Sequence, residues 1–272
     1  MFLVAGGAFY DRRHGRDRVS IPILMARPVS IVTVSFDSLF YVRLLVEKVR
    51  EFVGSRPYEI VVVDRGSRDG SREWLRRQPD IRLVFKRQWR QSRHSHGEAA
   101  EKGVRLAKHG IIVLMDSDSH PVDAQWLERT ADKLDDHCRL AGAQFHIPRR
   151  DNPHGWYVHP HFMTFFKADL GKNIILRKTR GRDTDTAEDS TVRTLDAGFD
   201  VIPYPLEFHE RFSVGHRVLP TVSAGVFHAW YSTRLVKSRD GVQGESGSEG
   251  ITQENYAEPL RKLLRQLYGL TY

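Results

Sequence analysis

The chain has 272 residues, of which 40% are hydrophobic and 28% are charged, and it carries a net charge of +8. These proportions are ordinary for a soluble globular protein, and the length suffices for one large domain or two small ones. The positive charge favours an anionic partner without distinguishing a nucleotide from a nucleic acid or an anionic membrane. One cysteine, Cys138, excludes an internal disulfide and indicates a reducing, cytoplasmic location, and no apolar run approaches the length of a membrane span.

Apolar runs alternate with amphipathic segments in the first part of the chain. Short apolar runs that end in turn residues predict buried strands at 31–34, 60–63, 81–86 and 111–115. Apolar residues at helical spacing predict helices at 39–53, 71–78 and 96–109. Strands that alternate with helices in this way predict a parallel, doubly wound α/β sheet.

The second part of the chain is less regular. Its patterns predict helices at 123–137, 187–199 and 255–268, an extended segment at 140–147 and a late strand within 225–234. We therefore expect an N-terminal arm, one large domain with a nucleotide-binding and an acceptor-binding half, and a mobile loop followed by a closing helix. The expected boundaries are 1–27, 28–236 (divided into 28–120 and 121–236) and 237–272.

Polar side chains follow three of the predicted strands, at 35–37, 64–67 and 116–118. The carboxyl ends of parallel strands share one edge of a sheet, so these side chains are expected to converge where α/β proteins hold ligands. Asp116 and Asp118 would repel each other unless a cation offsets their charge, and carboxylate oxygens suit Mg²⁺ or Mn²⁺ bound to phosphate oxygens. The alternative is a turn in which both aspartates only make local hydrogen bonds.

Six segments occur in an order that resembles family 2 glycosyltransferases of the GT-A fold. They are VSIVTVSFDS, EIVVVDRGSRDGS, SHGEAAEKGVRLA, IIVLMDSDSHP, TAEDSTVRTLDAGF and VFHAWYSTR, which together extend over about 28–234. The resemblance implies a GT-A-like α/β fold, with a Rossmann-type, mostly parallel central sheet flanked by helices and a C-terminal extension on the acceptor side. It also implies metal-dependent, inverting transfer of a sugar from a nucleoside-diphosphate sugar to an acceptor hydroxyl.

The resemblance assigns a donor-binding role to residues at the ends of the first, second and fourth strands. Phe36 would stack on the nucleotide base, and Asp64 would bind that base. Asp37 departs from the asparagine that is usual in the family, and Arg65 replaces its usual second aspartate. Gly97 begins a helix after a basic run, where a diphosphate would meet the positive helix end. The expected donor-binding residues are Ser35, Phe36, Asp37, Asp64, Gly97, Asp116 and Ser117.

The resemblance also assigns the metal and the catalytic base. Asp116, Asp118 and His228 are expected to hold Mg²⁺ or Mn²⁺. Asp189 of the Glu188–Asp189 pair corresponds to the catalytic base of inverting members. Each residue has an ordinary alternative: the acidic pair would also suit a helix N-terminus, and His228 would also suit a protein interior.

The segment HGWYVHPHFMTF lies between the metal motif and the acidic pair. Its rings suit a sugar or another ring-shaped acceptor, and Trp156, His159 and His161 are expected on the acceptor side. His154, His159 and His161 would also suit a metal ion, but their expected position in an unordered loop argues against that role. Arg68, Arg72, Arg76 and Arg77 predict a solvated helix face.

The acceptor itself, whether a sugar, a natural product or a lipid-linked molecule, is left open by the sequence. No nucleic-acid-binding module is recognisable, and membrane contact would be peripheral at most. Alternatives remain open: a haloacid-dehalogenase-like phosphatase, which also uses an Asp-x-Asp motif after a strand, and a non-catalytic protein that binds a nucleotide sugar or a nucleic acid.

Overall fold

The computed structural model describes residues 26–86, 95–146, 151–177, 179, 185–214, 220–230 and 251–272. Most of the predicted N-terminal arm, most of the basic run before Gly97 and the predicted mobile loop lie outside these residues.

Eleven strands within the described residues form two sheets. The strands are β1 (Val29–Ser35), β2 (Tyr58–Asp64), β3 (Ile81–Phe85), β4 (Ile111–Asp116), β5 (Ser119–Pro121), β6 (Cys138–His146), β7 (Trp156–Phe166), β8 (Asp200–Tyr204), β9 (Glu207–Phe208), β10 (Thr221–Ser223) and β11 (Val226–His228). The central sheet has the order β3-β2-β1-β4-β7-β6-β8, and only β7 runs against its neighbours. The second sheet is antiparallel, in the order β5-β11-β10-β9.

Helices cover both faces of the central sheet. They are α1 (Leu39–Phe52), α2 (Ser71–Arg76), α3 (Ser95–Leu106), α4 (Trp126–Arg129), α5 (Glu188–Asp196) and α6 (Glu258–Tyr268). The strand β1 is buried along its whole length, as expected for a parallel strand that is covered on both sides. Its residues Val29 and Ile31 pack in one core cluster with α1, while Val32 and Val34 pack in another with α3.

The four strands and the three helices predicted within residues 28–120 are confirmed. The predicted long helix at 123–137 is wrong, because only α4 and a short 3-10 turn, Ala131–Lys133, form there. The hydroxyl of Thr130 donates to the carbonyl of Trp126, and the carboxylate of Asp135 accepts from the amides of His137 and Cys138. These local bonds compete with helix continuation and turn the chain into β6.

The closing helix α6 is shorter than predicted and follows a π-helical turn, Gln253–Ala257. Its buried residues Leu260 and Leu264 pack against Tyr41 and Leu44 of α1 and against Phe227 of β11. Burying a leucine side chain contributes about 1.5–3 kcal/mol, so this packing fastens the helix to the second sheet. Among the described residues, no helix combines the length and the apolar character that crossing a bilayer requires.

A buried polar contact joins α6 to β5. Nε2 of His120 lies 3.0 Å from the hydroxyl of Tyr268, and the His120 ring packs against Phe227. Burial, together with the nearby charges of Lys48 and Arg211, lowers the pKa of His120 to about 3, although the charge of Asp118 opposes this shift. The ring is therefore neutral in the folded protein at neutral pH, whereas in an unfolded chain it gains a proton near pH 6.5.

This difference predicts an acid-sensitive stability. Below about pH 6.5, His120 binds a proton in the unfolded chain but not in the folded one. This group should therefore lower the free energy of unfolding by about 1.4 kcal/mol for each unit by which the pH falls. His120→Gln should reduce the slope between about pH 6 and about pH 4 in urea unfolding, whereas the exposed-site control His137→Gln should retain it. If the free energy of unfolding changed equally with pH in His120→Gln and in the wild type, folded His120 would bind its proton over the same pH range as the unfolded chain.

Candidate nucleotide and metal site

The strand register brings the three predicted polar breaks to one edge of the central sheet. Ser35 at the end of β1 pairs with Asp64 at the end of β2, and the neighbouring Val34 pairs with Asp116 at the end of β4. Ser35 is buried, and its hydroxyl lies 3.1 Å from that of Ser38. The carboxyl edge of the sheet therefore presents Asp64 and Asp116 on either side of β1.

Asp64 is fully buried, and its two oxygens have different environments. Oδ1 accepts hydrogen bonds from the amides of Gly66 at 3.0 Å and Ser67 at 3.3 Å, which hold the loop after β2. Oδ2 has no hydrogen-bonding partner among the described residues. Because leaving a buried carboxylate oxygen unbonded costs free energy, this atom is a good candidate for accepting a hydrogen bond from a ligand.

A cavity of about 310 Å³ lies beside Asp64. Arg72 of α2 lines it and stacks over the Phe85 ring with its guanidinium carbon 4.0 Å from the ring centroid. Nε of Arg72 also has no hydrogen-bonding partner among the described residues. Arg72 therefore lines a cavity, whereas its run of arginines predicted a solvated helix face. The remaining lining residues are Leu75, Arg76, Gln78, Ile81 and Leu83.

Asp37 and Arg65, the two residues that depart from the family pattern, both contact neighbouring residues at this edge of the sheet. The amide of Asp37 donates to the hydroxyl of Ser67, and its Oδ1 accepts from the amide of Arg68 at 2.7 Å. Asp37 has a positive φ of 48°, a conformation that aspartate tolerates better than most residues, and it joins the loops after β1 and β2. Arg65 lies over the Phe36 ring at 5.6 Å, and burial lowers the pKa of its guanidinium.

Side chains that can bind a metal meet at the end of β4. Ligand atoms of Asp116, His161 and His228 all lie within 4.8 Å of one another. Nε2 of His228 lies 3.8 Å from Asp116 and 3.4 Å from Asp118, and Nε2 of His96 lies 3.4 Å from Asp116. These carboxylate and imidazole donors fit a divalent cation. Ser117 forms the buried turn between the two aspartates.

His228 is positioned by the second sheet. It pairs with Ser119 across the β11–β5 ladder, and the amide of Ala229 extends that ladder to the carbonyl of Asp118 at 3.1 Å. The amide of Trp230 donates to Nδ1 of His228 at 3.3 Å, which directs Nε2 toward the aspartates. A cation bound at Nε2 requires the ring proton to be on Nδ1, where it would replace the long hydrogen bond from the amide of Trp230.

A bulge in β7 brings His161 into the metal cluster. Adjacent residues Gly142 and Ala143 of β6 pair with Met163 and His159, so three residues of β7 lie between these partners. A Cβ atom at Gly142 would lie 2.5 Å from the carbonyl oxygen of Phe162, so glycine permits the close approach at the bulge. The His161 ring stacks on that of His228 with 3.5 Å between centroids. A glycine within a strand pattern is the sequence signal that indicates such a bulge.

The two remaining predicted acceptor-side residues, His159 and Trp156, have different surroundings. The His159 ring is 4.1 Å from that of His161 and 5.5 Å from Phe145. Phe145 and Trp230 also contact each other at 5.5 Å. Trp156, at the start of β7, is partly buried against the core cluster of α3. The structure thus brings His159 toward the metal site, and it adds Phe145 and Trp230, which the sequence analysis did not single out.

Glu188 and Asp189 are buried in the first turn of α5 and have different partners. The two oxygens of Glu188 accept from Nδ2 of Asn152 at 2.9 Å and from the amide of Asp185 at 2.6 Å. Asp189 accepts a hydrogen bond from the hydroxyl of Thr179. Glu188 therefore fixes the start of α5 and the turn before β7, which leaves Asp189 as the better candidate base.

The folding pattern and the site place the protein in the class of α/β proteins with the GT-A fold. The chain belongs to glycosyl transferase family 2, since the model of that family matches residues 30–190, more than half of the sequence. This match favours a transferase over the phosphatase alternative. A comparison with curated protein sequences gave no match.

Solved structures with the same fold share little sequence with this chain. Glucosyl-3-phosphoglycerate synthase from Mycobacterium tuberculosis, in complex with UDP, is 14% identical with a TM-score of 0.50, over 66% of this chain and 70% of that one. Mannosyltransferase PcManGT from Pyrobaculum calidifontis, in complex with GDP-Man and Mn²⁺, is 19% identical with a TM-score of 0.48, over 65% and 54%. S. aureus TarS 1–349 is 16% identical with a TM-score of 0.45, over 62% and 55%. This chain thus spans about half the length of the last two.

Gly97, which the sequence analysis assigned to donor binding, also has a role in packing. A Cβ atom there would overlap the backbone carbonyl of Leu176, so glycine lets α3 approach the segment that leads toward α5. We expect Gly97→Ala to lower the free energy of unfolding by about 1–3 kcal/mol, the usual cost of overpacking. Gly110→Ala is the matched control because no atom lies within 4 Å of its added methyl group. Equal urea midpoints for both variants would contradict this account.

Proposed function

We propose that this protein transfers a sugar from a nucleoside-diphosphate sugar to an acceptor hydroxyl group, with a divalent cation at the end of β4. The observation that carries the proposal is the convergence of two features at one sheet edge in a family 2 chain. The first is the Asp64 carboxylate, with one oxygen available to a ligand beside a cavity. The second is the cluster of Asp116, His161 and His228 on the other side of β1.

The cation would be held by Asp116 and His228, with Asp118 within 3.4 Å of His228. When bound, Mg²⁺ or Mn²⁺ supplies Lewis-acid stabilisation of the negative charge that develops on a leaving diphosphate. Nε2 of His96, at the start of α3, lies 3.4 Å from Asp116 and would provide a further polar contact for the diphosphate. The positive end of α3 supports an anion there as well.

The base of the donor would occupy the region between Phe36, Asp64 and Arg72. Oδ2 of Asp64 can accept a hydrogen bond from a ligand, and Nε of Arg72 can donate one. Each of the four bases presents an N–H group next to an acceptor atom, which is a carbonyl oxygen in uracil and guanine and a ring nitrogen in adenine and cytosine, so the edge of any of them can match this acceptor and donor. The aromatic face of Phe36, already covered in part by Arg65, would stack on the base.

The acceptor would approach from the side of β7 and α5. Asp189 takes the proton from the acceptor hydroxyl as that oxygen forms its bond to the anomeric carbon, and the bond to the diphosphate oxygen breaks on the opposite face. This geometry inverts the anomeric centre. Thr179 holds Asp189 in position, and Glu188 fixes the helix that carries it. Rings of His159, Phe145 and Trp230 supply stacking faces for a cyclic acceptor.

The placement of the site also supports the proposed division of the chain. Residues 28–120 would supply the nucleotide-binding side chains, and 121–236 would supply the acceptor-binding ones together with His228 for the cation, although both halves share one central sheet. We further propose that the reaction takes place in the cytoplasm, in keeping with a single, buried cysteine.

A panel of nucleoside diphosphates tests the donor site. UDP, GDP, ADP and CDP, each with Mn²⁺, are compared with pyrophosphate. The nucleotide that the site binds should raise the melting temperature more than pyrophosphate does, because its base also satisfies Asp64 and Arg72. Asp64→Asn places an N–H donor where an acceptor is required and should weaken binding of that nucleotide by about 1–3 kcal/mol. Glu73→Gln, an exposed change on α2, is the control. Equal nucleotide affinities for Asp64→Asn and the wild type would remove Asp64 from base recognition.

Replacement of the proposed base tests the transfer step. Asp189→Asn keeps the size and the Thr179 contact but cannot take up the proton, so turnover of the nucleotide sugar should fall by about 10²–10⁴-fold. Nucleotide affinity, measured by calorimetry, should be unchanged. Asp196→Asn, at the exposed end of the same helix, should leave both quantities at their wild-type values. Undiminished turnover in Asp189→Asn would exclude Asp189 as the base.

A further inference from the structure

We propose that His161 is a direct ligand of the cation and that the resulting site selects Mn²⁺ or another transition-metal ion over Mg²⁺. The inference rests on the proposed function, since it concerns the cation of the same site. It assigns a metal role to a β7 residue whose sequence context predicted an acceptor contact.

The first argument is the position of the ligand atoms. Asp116, His161 and His228 each place one donor atom within 4.8 Å of the other two, a separation that a single ion can bridge after small side-chain movements. His161 and His228 are 3% and 7% exposed, so both imidazoles line the inner wall of the site. The carboxylate of Asp116 is 20% exposed and faces the open side, where a diphosphate would complete the coordination.

The second argument is that the backbone fixes His161 in this position. Met115 pairs with Phe162 across the antiparallel β4–β7 ladder. One residue further toward the end of β4, this register aligns Asp116 with His161. The amide of His161 donates to Nδ1 of His159 at 3.2 Å, which ties the bulge to its own strand. Bulges often redirect a side chain next to an active site. Here the bulge and the strand register bring the His161 ring against that of His228.

The third argument is the chemistry of the donor set. Mg²⁺ demands oxygen ligands and near-octahedral geometry, and it gives up its water reluctantly. Imidazole nitrogen suits transition-metal ions, and the affinity of a given site for these ions rises from Mn²⁺ to Co²⁺. A site with two imidazoles and one close carboxylate therefore discriminates against Mg²⁺, whereas a site built from the two aspartates alone would accept Mg²⁺ and Mn²⁺ similarly. His161 is thus the residue that sets the metal preference.

Direct metal titration tests the proposal without relying on turnover. The full chain, with and without saturating UDP, would be titrated with Mn²⁺, monitored by the electron paramagnetic resonance signal of the free ion, and in parallel with Mg²⁺ by calorimetry. Addition of Co²⁺ alone reports nitrogen ligands through its visible absorption spectrum. The variants are His161→Gln, which removes the ligand, His161→Asp, which replaces nitrogen with oxygen, and the exposed control His154→Gln.

The wild type should bind Mn²⁺ more tightly than Mg²⁺. His161→Gln should weaken Mn²⁺ binding at least about tenfold and change the Co²⁺ spectrum, whereas His154→Gln should change neither. His161→Asp should shift the preference toward Mg²⁺, and it decides the question if His161→Gln fails to fold.

Equal Mn²⁺ affinities and equal Co²⁺ spectra for the wild type and a folded His161 variant would overturn the proposal. A wild type that binds Mg²⁺ as tightly as Mn²⁺ would also overturn it. If metal binding fails to depend on His161 but the protein still turns over a nucleotide sugar, the proposed function stands and this inference falls. If His161 governs Mn²⁺ binding and no nucleotide sugar is turned over, the ligand assignment stands and the transferase proposal falls.

Discussion

The register between the parallel strands is the constraint on which the site depends. Because Ser35 pairs with Asp64 and Val34 with Asp116, the three strands end at the same level, and two carboxylates separated by 52 positions in the sequence flank one buried strand. A shift of β2 or β4 by one residue would turn either carboxylate toward the opposite face of the sheet. The apolar residues of β1, which are buried on both faces, hold this register because a shift would carry the polar ends of the strands into the core.

Several site residues serve the fold and the chemistry with different atoms of the same side chain. One oxygen of Asp64 organises the loop after β2, and the other is available to a ligand. His228 accepts a backbone hydrogen bond through Nδ1 and directs Nε2 toward the aspartates. This division explains why the ordinary and the functional interpretation of such residues do not exclude each other. A turn-forming aspartate and a ligand-binding aspartate can be one residue, since a carboxylate has two oxygens.

Local patterns in the sequence were sufficient to predict the strands and helices of residues 28–120 and insufficient for the rest of the fold. The strands β1, β2 and β4 are continuous apolar runs followed by polar residues, so their existence and their shared edge follow from short-range signals. The pairing of β5 with β11 joins residues more than 100 positions apart, and each strand has three residues, too few to show a period. The bulge that redirects His161 depends on contacts among β6, β7 and β4. Spacing along the chain therefore placed His161 on the acceptor side, whereas the sheet brings it to Asp116.

The short strand β5 connects two regions that are far apart along the chain. Its first residue, Ser119, follows the acidic turn and pairs with His228, and its second, His120, contacts Tyr268 of the closing helix. The closing helix α6 thus contacts the strand that positions His228, a proposed ligand of the ion. Removing α6 to aid crystallisation, or attaching a bulky fusion partner next to it, would therefore disturb the packing that supports the metal site.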